Sequence, residues 1–200
     1  MNFTAAKEIS SLLKIKRSTF TGTLIPITSI VDVSKHLKSL KKANPKARHI
    51  CWAYRYQENG IISENSSDAG EPSGTAGTPI LNTLRSKDMV QTVLFVLRIF
   101  GGVKLGKRGL IDAYGASALK TILALKPIRW EEKIRLIFTG QLSHYSDNYR
   151  FLEEYSGTII ADDSQIELKW TIEIPLNQSA AFMDAINGRF EGFVKVWKDE

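Results

Sequence analysis

Residues 90–100, Val-Gln-Thr-Val-Leu-Phe-Val-Leu-Arg-Ile-Phe, are an almost unbroken run of β-branched and aromatic side chains ending at Gly101-Gly102. A strand with apolar groups on both faces has to be covered above and below, so this run demands a layered fold with the strand near its centre. A basic stretch follows the glycines, and helical spacing then sets in over residues 110–125. Strand, glycine loop and helix is the local order of a phosphate-cradling unit, although the glycine spacing here is not that of a P-loop.

Upstream, residues 12–27 read as extended structure, broken at Arg17-Ser18 and closed by Pro26. Thr28 or Ser29 is placed to cap a helix whose apolar positions are Ile30, Val33, Leu37 and Leu40. Its other face carries Lys35, Lys38, Lys41 and Lys42, and Asn44-Pro45 stops it. Residues 48–56 alternate as a strand does, with Ile50, Trp52, Tyr54 and Tyr56 on one face and His49, Cys51 and Ala53 on the other. Residues 60–78 are polar and rich in Gly, Ser and Asn, which predicts a long functional or mobile loop before a short helix over 79–86.

The last third has a different rhythm. Strands are expected at 134–139, 158–161, 166–174 and 193–197, a helix at 144–155, and a second helix from an Asn177 cap to Ile186. The order βαββαβ is that of a ferredoxin-like split βαβ domain. Trp170 and Trp197, both on these strands, are expected in its core. The chain is therefore expected to be an α+β protein of two domains, residues 1–128 and 129–200.

Apolar residues at 43% and aromatic residues at 10% are enough to build real cores in a chain of 200 residues. No apolar run reaches the roughly 20 residues of a membrane span, and the N-terminus lacks the basic-then-apolar order of a secretory signal. The one cysteine, Cys51, excludes an internal disulfide and a multi-cysteine zinc site. The expected compartment is the cytoplasm, with no cofactor, no metal and no membrane partner. Residues 1–128 hold 19 Lys+Arg against 8 Asp+Glu, whereas residues 129–200 hold 8 against 13. A basic half joined to an acidic half points to an anionic partner for the first.

Two segments carry the chemistry. In the first, Ser67-Asp68-Ala69-Gly70-Glu71-Pro72-Ser73-Gly74-Thr75-Ala76-Gly77, the glycines Gly70, Gly74 and Gly77 permit close backbone approach. Successive amides of such a loop can form an anion nest. Asp68 and Glu71 oppose that role by repelling phosphate, and are alternatively acceptors that shape the loop. In the second, running from Arg98 to Leu110, Arg98, Lys104, Lys107 and Arg108 lie beside Gly101 and Gly102 at the end of the buried strand. Arg98 offers a planar fork to phosphate, or pairs with Asp68 or Glu71 across the two loops. His49 and Cys51 share a strand face, but two residues along a strand separate their side chains by roughly 7 Å, too far for a catalytic pair. No third group orients the histidine, so a buried thiol and a hydrogen-bonded histidine are expected.

Arg17-Ser18-Thr19-Phe20, the segment His49-Ile50-Cys51-Trp52-Ala53-Tyr54-Arg55, the glycine loop, the segment Arg98-Ile99-Phe100-Gly101-Gly102-Val103-Lys104-Leu105-Gly106 and Ala113-Tyr114 resemble the IMPACT family in order and spacing. The two-domain layout is similar to the bacterial YigZ-type members. The resemblance implies an N-terminal β-α-β domain of the ribosomal-protein and ribonuclease PH type. It also implies a C-terminal domain similar to the last domain of elongation factor G. Eukaryotic relatives regulate translation by competing for the activator of a kinase that senses amino-acid starvation. Bacteria lack that kinase, so what transfers is a link to translation, together with nucleic-acid binding. Arg108 stands where the family pattern has a glycine, which alters the turn and adds charge.

The expected function is a translation-linked regulatory binding protein that meets RNA or the ribosome through Arg98, Lys104, Lys107, Arg108 and the glycines of both loops. Two alternatives stand beside it. One is a small-molecule or nucleotide-handling enzyme using His49, Asp68 and Glu71, and the other is an adaptor that binds protein only.

Overall fold

The structure, a computed structural model, describes residues 1–45, 47–189 and 194–198, with Arg189 described in its backbone alone. It is a mixed α+β chain that divides into two compact units, Met1–Trp130 and Glu131–Glu200.

The first unit runs β1 (Asn2–Thr4), β2 (Ile9–Ile15), β3 (Ser18–Pro26), α1 (Val31–Ala43), β4 (His49–Glu58), β5 (Ile61–Ser67), α2 (Gly77–Ser86), β6 (Thr92–Ile99), α3 (Gly106–Leu123) and β7 (Ile128–Trp130). Five strands form one sheet in the order β2-β3-β6-β4-β5, every pair antiparallel. The apolar run supplies β6, the middle strand, buried from Thr92 to Arg98. Strand alternation sends Val93, Phe95 and Leu97 to the face shared with Ile25, Ile50 and Val33 of α1. Leu94 and Val96 go to the opposite face, where α2 and α3 bring Ile80, Leu84, Tyr114 and Ala118. The same alternation puts Arg98 on the α2/α3 face, cross-strand from both Phe20 and His49.

Several expectations change here. Residues 61–67 are a strand, because Asn59-Gly60 turns the chain with φ of 52° and 77° and folds β5 back along β4. The remaining loop covers only 68–76. Helix α3 begins at Gly106, so Lys107 and Arg108 lie in its first turn. The φ of Arg108 is not among the positive ones, so a helical backbone accommodates it without a glycine. Ser29 Oγ accepts from the Val31 amide at 3.3 Å, and Asp32, in the first turn of α1, reaches back to accept from the amides of Thr28 and Ser29. The short β1/β7 pair was not anticipated.

The second unit runs β8 (Lys133–Gln141), α4 (Tyr145–Glu154), β9 (Thr158–Asp162), β10 (Glu167–Pro175), α5 (Ser179–Arg189) and β11 (Lys195–Lys198). Its antiparallel sheet has the order β11-β8-β10-β9. Leu136, Phe138, Trp170 and Ile172 pack against Phe151, Leu152, Phe182 and Ile186 of the helices. Trp170 is fully buried, and the Tyr145 ring meets it edge-on at 4.9 Å. Trp197 departs from expectation. It lies opposite Ile137 on the edge strand β11 and is 47% exposed, because Val194 and Val196 take the core-facing positions and alternation turns Trp197 to the other face. Phe193, expected to open that strand, is outside the described residues.

Candidate functional site

Where β6 ends beside the start of β4, the first unit holds a cleft of about 820 Å³. Arg48, His49, Arg98, Lys104 and Lys107 supply its basic lining, and Phe100, Leu105 and Leu110 much of its apolar lining.

Arg98 forms its inner wall. The side chain is 8% exposed, and its Nη1 donates to Oε1 of Glu71, itself 5% exposed, at 2.8 Å. The Tyr114 hydroxyl donates to the same oxygen at 2.8 Å. Arg98 therefore pairs with Glu71 across the loops, as one of the two sequence readings has it. The guanidinium carbon lies 5.6 Å from the Phe20 ring centroid and 5.4 Å from that of Phe100, both cation–π distances. The Nε of Arg98 is buried without a partner among the described contacts.

Asp68 is bound by its own loop. One carboxylate oxygen accepts from the Gly74 amide at 2.8 Å, and the other from the amides of Ala76 at 2.9 Å and Gly77 at 2.8 Å. Burial opposes its ionisation, but those three amides outweigh it and hold the carboxyl below the ordinary aspartate value. The amides of Gly74, Ala76 and Gly77 thus converge on a carboxylate of the protein itself, the loop-shaping role that the sequence also offered for Asp68. Gly77 admits no side chain, because a Cβ would meet the Ser67 backbone at 2.8 Å. Gly101 is equally constrained, since its Cβ would run into the backbone carbonyl of Arg17. Gly70, Gly74, Gly77, Gly101 and Gly102 are not among the residues lining the cleft.

His49 and Cys51 each turn to a carbonyl of this loop. The Cys51 thiol donates to the Asp68 carbonyl at 3.0 Å, and His49 Nδ1 lies 2.9 Å from the Ala69 carbonyl. A carbonyl only accepts, so Nδ1 carries the proton and Nε2 is the ring nitrogen left for a ligand. Burial, more than the nearby carboxylates, pushes the Cys51 thiol up to about 12, so it stays protonated and unreactive. Tyr114 is raised as well, first by burial and then by Cys51 and Glu71.

The exposed cations divide. Arg48, Lys104 and Lys107 reach the cleft rim, and none belongs to an ion pair found among the described residues. Arg108 instead pairs along the helix with Asp112 at 3.2 Å and does not line the cleft. Sequence reasoning missed Arg48 and Phe100 among the cleft residues, although an aromatic directly before a Gly-Gly pair was a usable signal for the second. Among the described residues no cluster of His, Cys, Asp and Glu has the makings of a metal site. None of the described helices is long and apolar enough to cross a membrane.

Residues 16–122 match the family described as the Impact N-terminal domain. The chain belongs to the IMPACT family. It is 30% identical over 198 residues to the IMPACT family member YvyE of Bacillus subtilis (strain 168), spanning 99% of this chain and 85% of that one. It is also 30% identical over 186 residues to the IMPACT family member YigZ of Escherichia coli (strain K12), spanning 88% and 87%. The crystal structure of a hypothetical protein aligns over 99% of this chain and 97% of its own with a TM-score of 0.67 at 24% identity, which speaks to the fold. In this IMPACT-family chain the cleft lies between the first loop, through Glu71 and Pro72, and the segment from Phe100 to Lys107.

Proposed function

We propose that this IMPACT-family chain is a translation-linked regulatory binding protein, and that it contacts RNA or the ribosome through the basic cleft of its first unit. The observation that carries this reading is the rim of Arg48, Lys104 and Lys107, solvent-facing cations around a partly apolar cavity at the end of the central strand. Charges that have no ion-pair partner among the described residues are available to phosphates, and release of counterions from a nucleic acid would drive the association. The excess of 19 basic over 8 acidic side chains in residues 1–128 supports it by steering polyanions toward this unit.

The domain assignments belong to the same proposal. The first unit is taken as an IMPACT-type domain of the ribosomal-protein and ribonuclease PH kind. The second is taken as ferredoxin-like and similar to the last domain of elongation factor G, a reading supported by its βαββαβ order and β11-β8-β10-β9 sheet. The enzyme alternative is less well supplied. Asp68 is occupied by three amides and Glu71 by Arg98 and Tyr114, which leaves His49 without a carboxylate free to work with it.

The test is RNA binding by the full chain across a salt titration. Phosphate-driven binding gives a linear fall of log affinity with log salt, with a slope of about −0.7 per single-strand contact. Absence of binding at low salt would overturn the reading and favour a partner that is protein only.

A further inference from the structure

Resting on that reading, we infer that the cleft takes single-stranded RNA, with one base stacked on the open face of Phe100. Phe100 is 52% exposed, yet it is not adrift. The Arg98 guanidinium stands 5.4 Å from its ring centroid, Arg98 is held by Glu71, and Glu71 is held by Tyr114. This chain of contacts holds an aromatic ring by one side while about half of the residue stays open to solvent. A large apolar side chain kept half in water forgoes part of its burial energy, so a ring backed by a held guanidinium and otherwise half open has the form of a platform awaiting a planar partner.

The surroundings state what that partner carries. Arg48, Lys104 and Lys107 ring the same cavity, so a group stacked on Phe100 has cations within reach of the phosphates beside it. Glu71, the carboxylate in the lining, is neutralised by Arg98 and does not cancel the rim. A volume of about 820 Å³ lies within the range of pockets that enclose one small ligand, which suits one unstacked nucleotide and not a helix. Duplex RNA keeps its base faces covered, whereas a single strand presents them to aromatic side chains.

The experiment compares three oligoribonucleotide probes of equal length on the full chain: a single strand, the same strand with abasic positions, and the duplex. Each is measured with the wild type, Phe100→Ala and Phe100→Trp. Because Phe100 is half exposed, Phe100→Ala is expected to fold, which its unfolding temperature verifies. The intact single strand should bind Phe100→Ala roughly 5- to 150-fold more weakly than wild type, with the salt slope unchanged, and Phe100→Trp should retain affinity. The abasic strand and the duplex should bind the wild type about as weakly as the intact strand binds Phe100→Ala. Equal, salt-dependent affinity for intact and abasic strands would overturn the stacking platform while leaving the phosphate-binding cleft in place. No affinity for any probe at low salt would overturn both.

Discussion

The loop at residues 68–76 and the loop at residues 100–105 both contain glycines and both meet Arg98, yet their polar groups point to different ends. In the first, the amides of Gly74, Ala76 and Gly77 converge on the carboxylate of Asp68, and Glu71 closes on Arg98 and Tyr114. In the second, Lys104 extends from the backbone into the cleft and Phe100 stands half in solvent. One loop satisfies itself and the other does not. Glycine content therefore does not mark a ligand loop. What separates the two is whether a side chain of the protein already occupies the donors that the glycines make available.

The comparison can be broken at its strongest point by Glu71→Ala. That change leaves Arg98, 8% exposed, without its counter-charge, a situation that typically costs about 3–5 kcal/mol. Denaturant unfolding of the full chain should show that loss in the transition of the first unit. A change below about 1 kcal/mol would mean that the first loop does not depend on the pair.

Asp68→Ala comes next. Three amides would lose their acceptor, for an expected loss of about 1–3 kcal/mol, while the folded protein should bind RNA as the wild type does. A variant with normal stability and weakened RNA binding would reverse the roles given to the two loops. The pH dependence sharpens the same point. Because the folded-state pKa of Asp68 is depressed, its contribution is fully present above the unfolded value of about 3.9 and is lost as pH falls through the lower folded value. The stability gap between wild type and Asp68→Asn, followed by thermal unfolding, should therefore be constant near neutrality and close below about pH 4. A gap that persists into stronger acid would contradict the carboxylate's role.

The smallest effect on stability belongs to the second loop and the first turn of α3 that follows it. Lys104→Ala and Lys107→Ala together should shift unfolding by no more than about 0.5 kcal/mol, since both side chains are exposed and neither is in an ion pair among the described residues. A larger loss would show that this loop too is built for the fold.

Sequence patterning reached the parts of the fold whose signal is local. The run at 90–100 contains β6, and the alternation from His49 to Tyr56 placed Cys51 and His49 on one face of β4. It missed β5 because Ile-Ile-Ser-Glu-Asn-Ser-Ser has no apolar alternation to read, although Asn59-Gly60 announced the hairpin that makes it a strand. It began α3 late because the basic pair after Gly106 looks like loop composition, whereas the first turn of a helix tolerates it. Trp197 was assigned to the core because strand membership does not reveal which face an edge strand leaves open. The Glu71–Arg98 pair was legible as one of two options, since the opposite charges were in view. Arg48 and Phe100 were not legible as neighbours. They line one cleft only because β4 starts where β6 ends, a property of the antiparallel register and not of either segment.

The measurement that bears most directly on the account is single-stranded RNA binding across a salt titration, for the full chain and for the Arg48→Ala, Lys104→Ala, Lys107→Ala triple variant. If the cleft rim holds phosphates, the wild type binds with a steep linear dependence, and the variant, equally stable, loses affinity and flattens the slope by about 2. A folded variant with unchanged affinity and slope would contradict the assignment of the cleft.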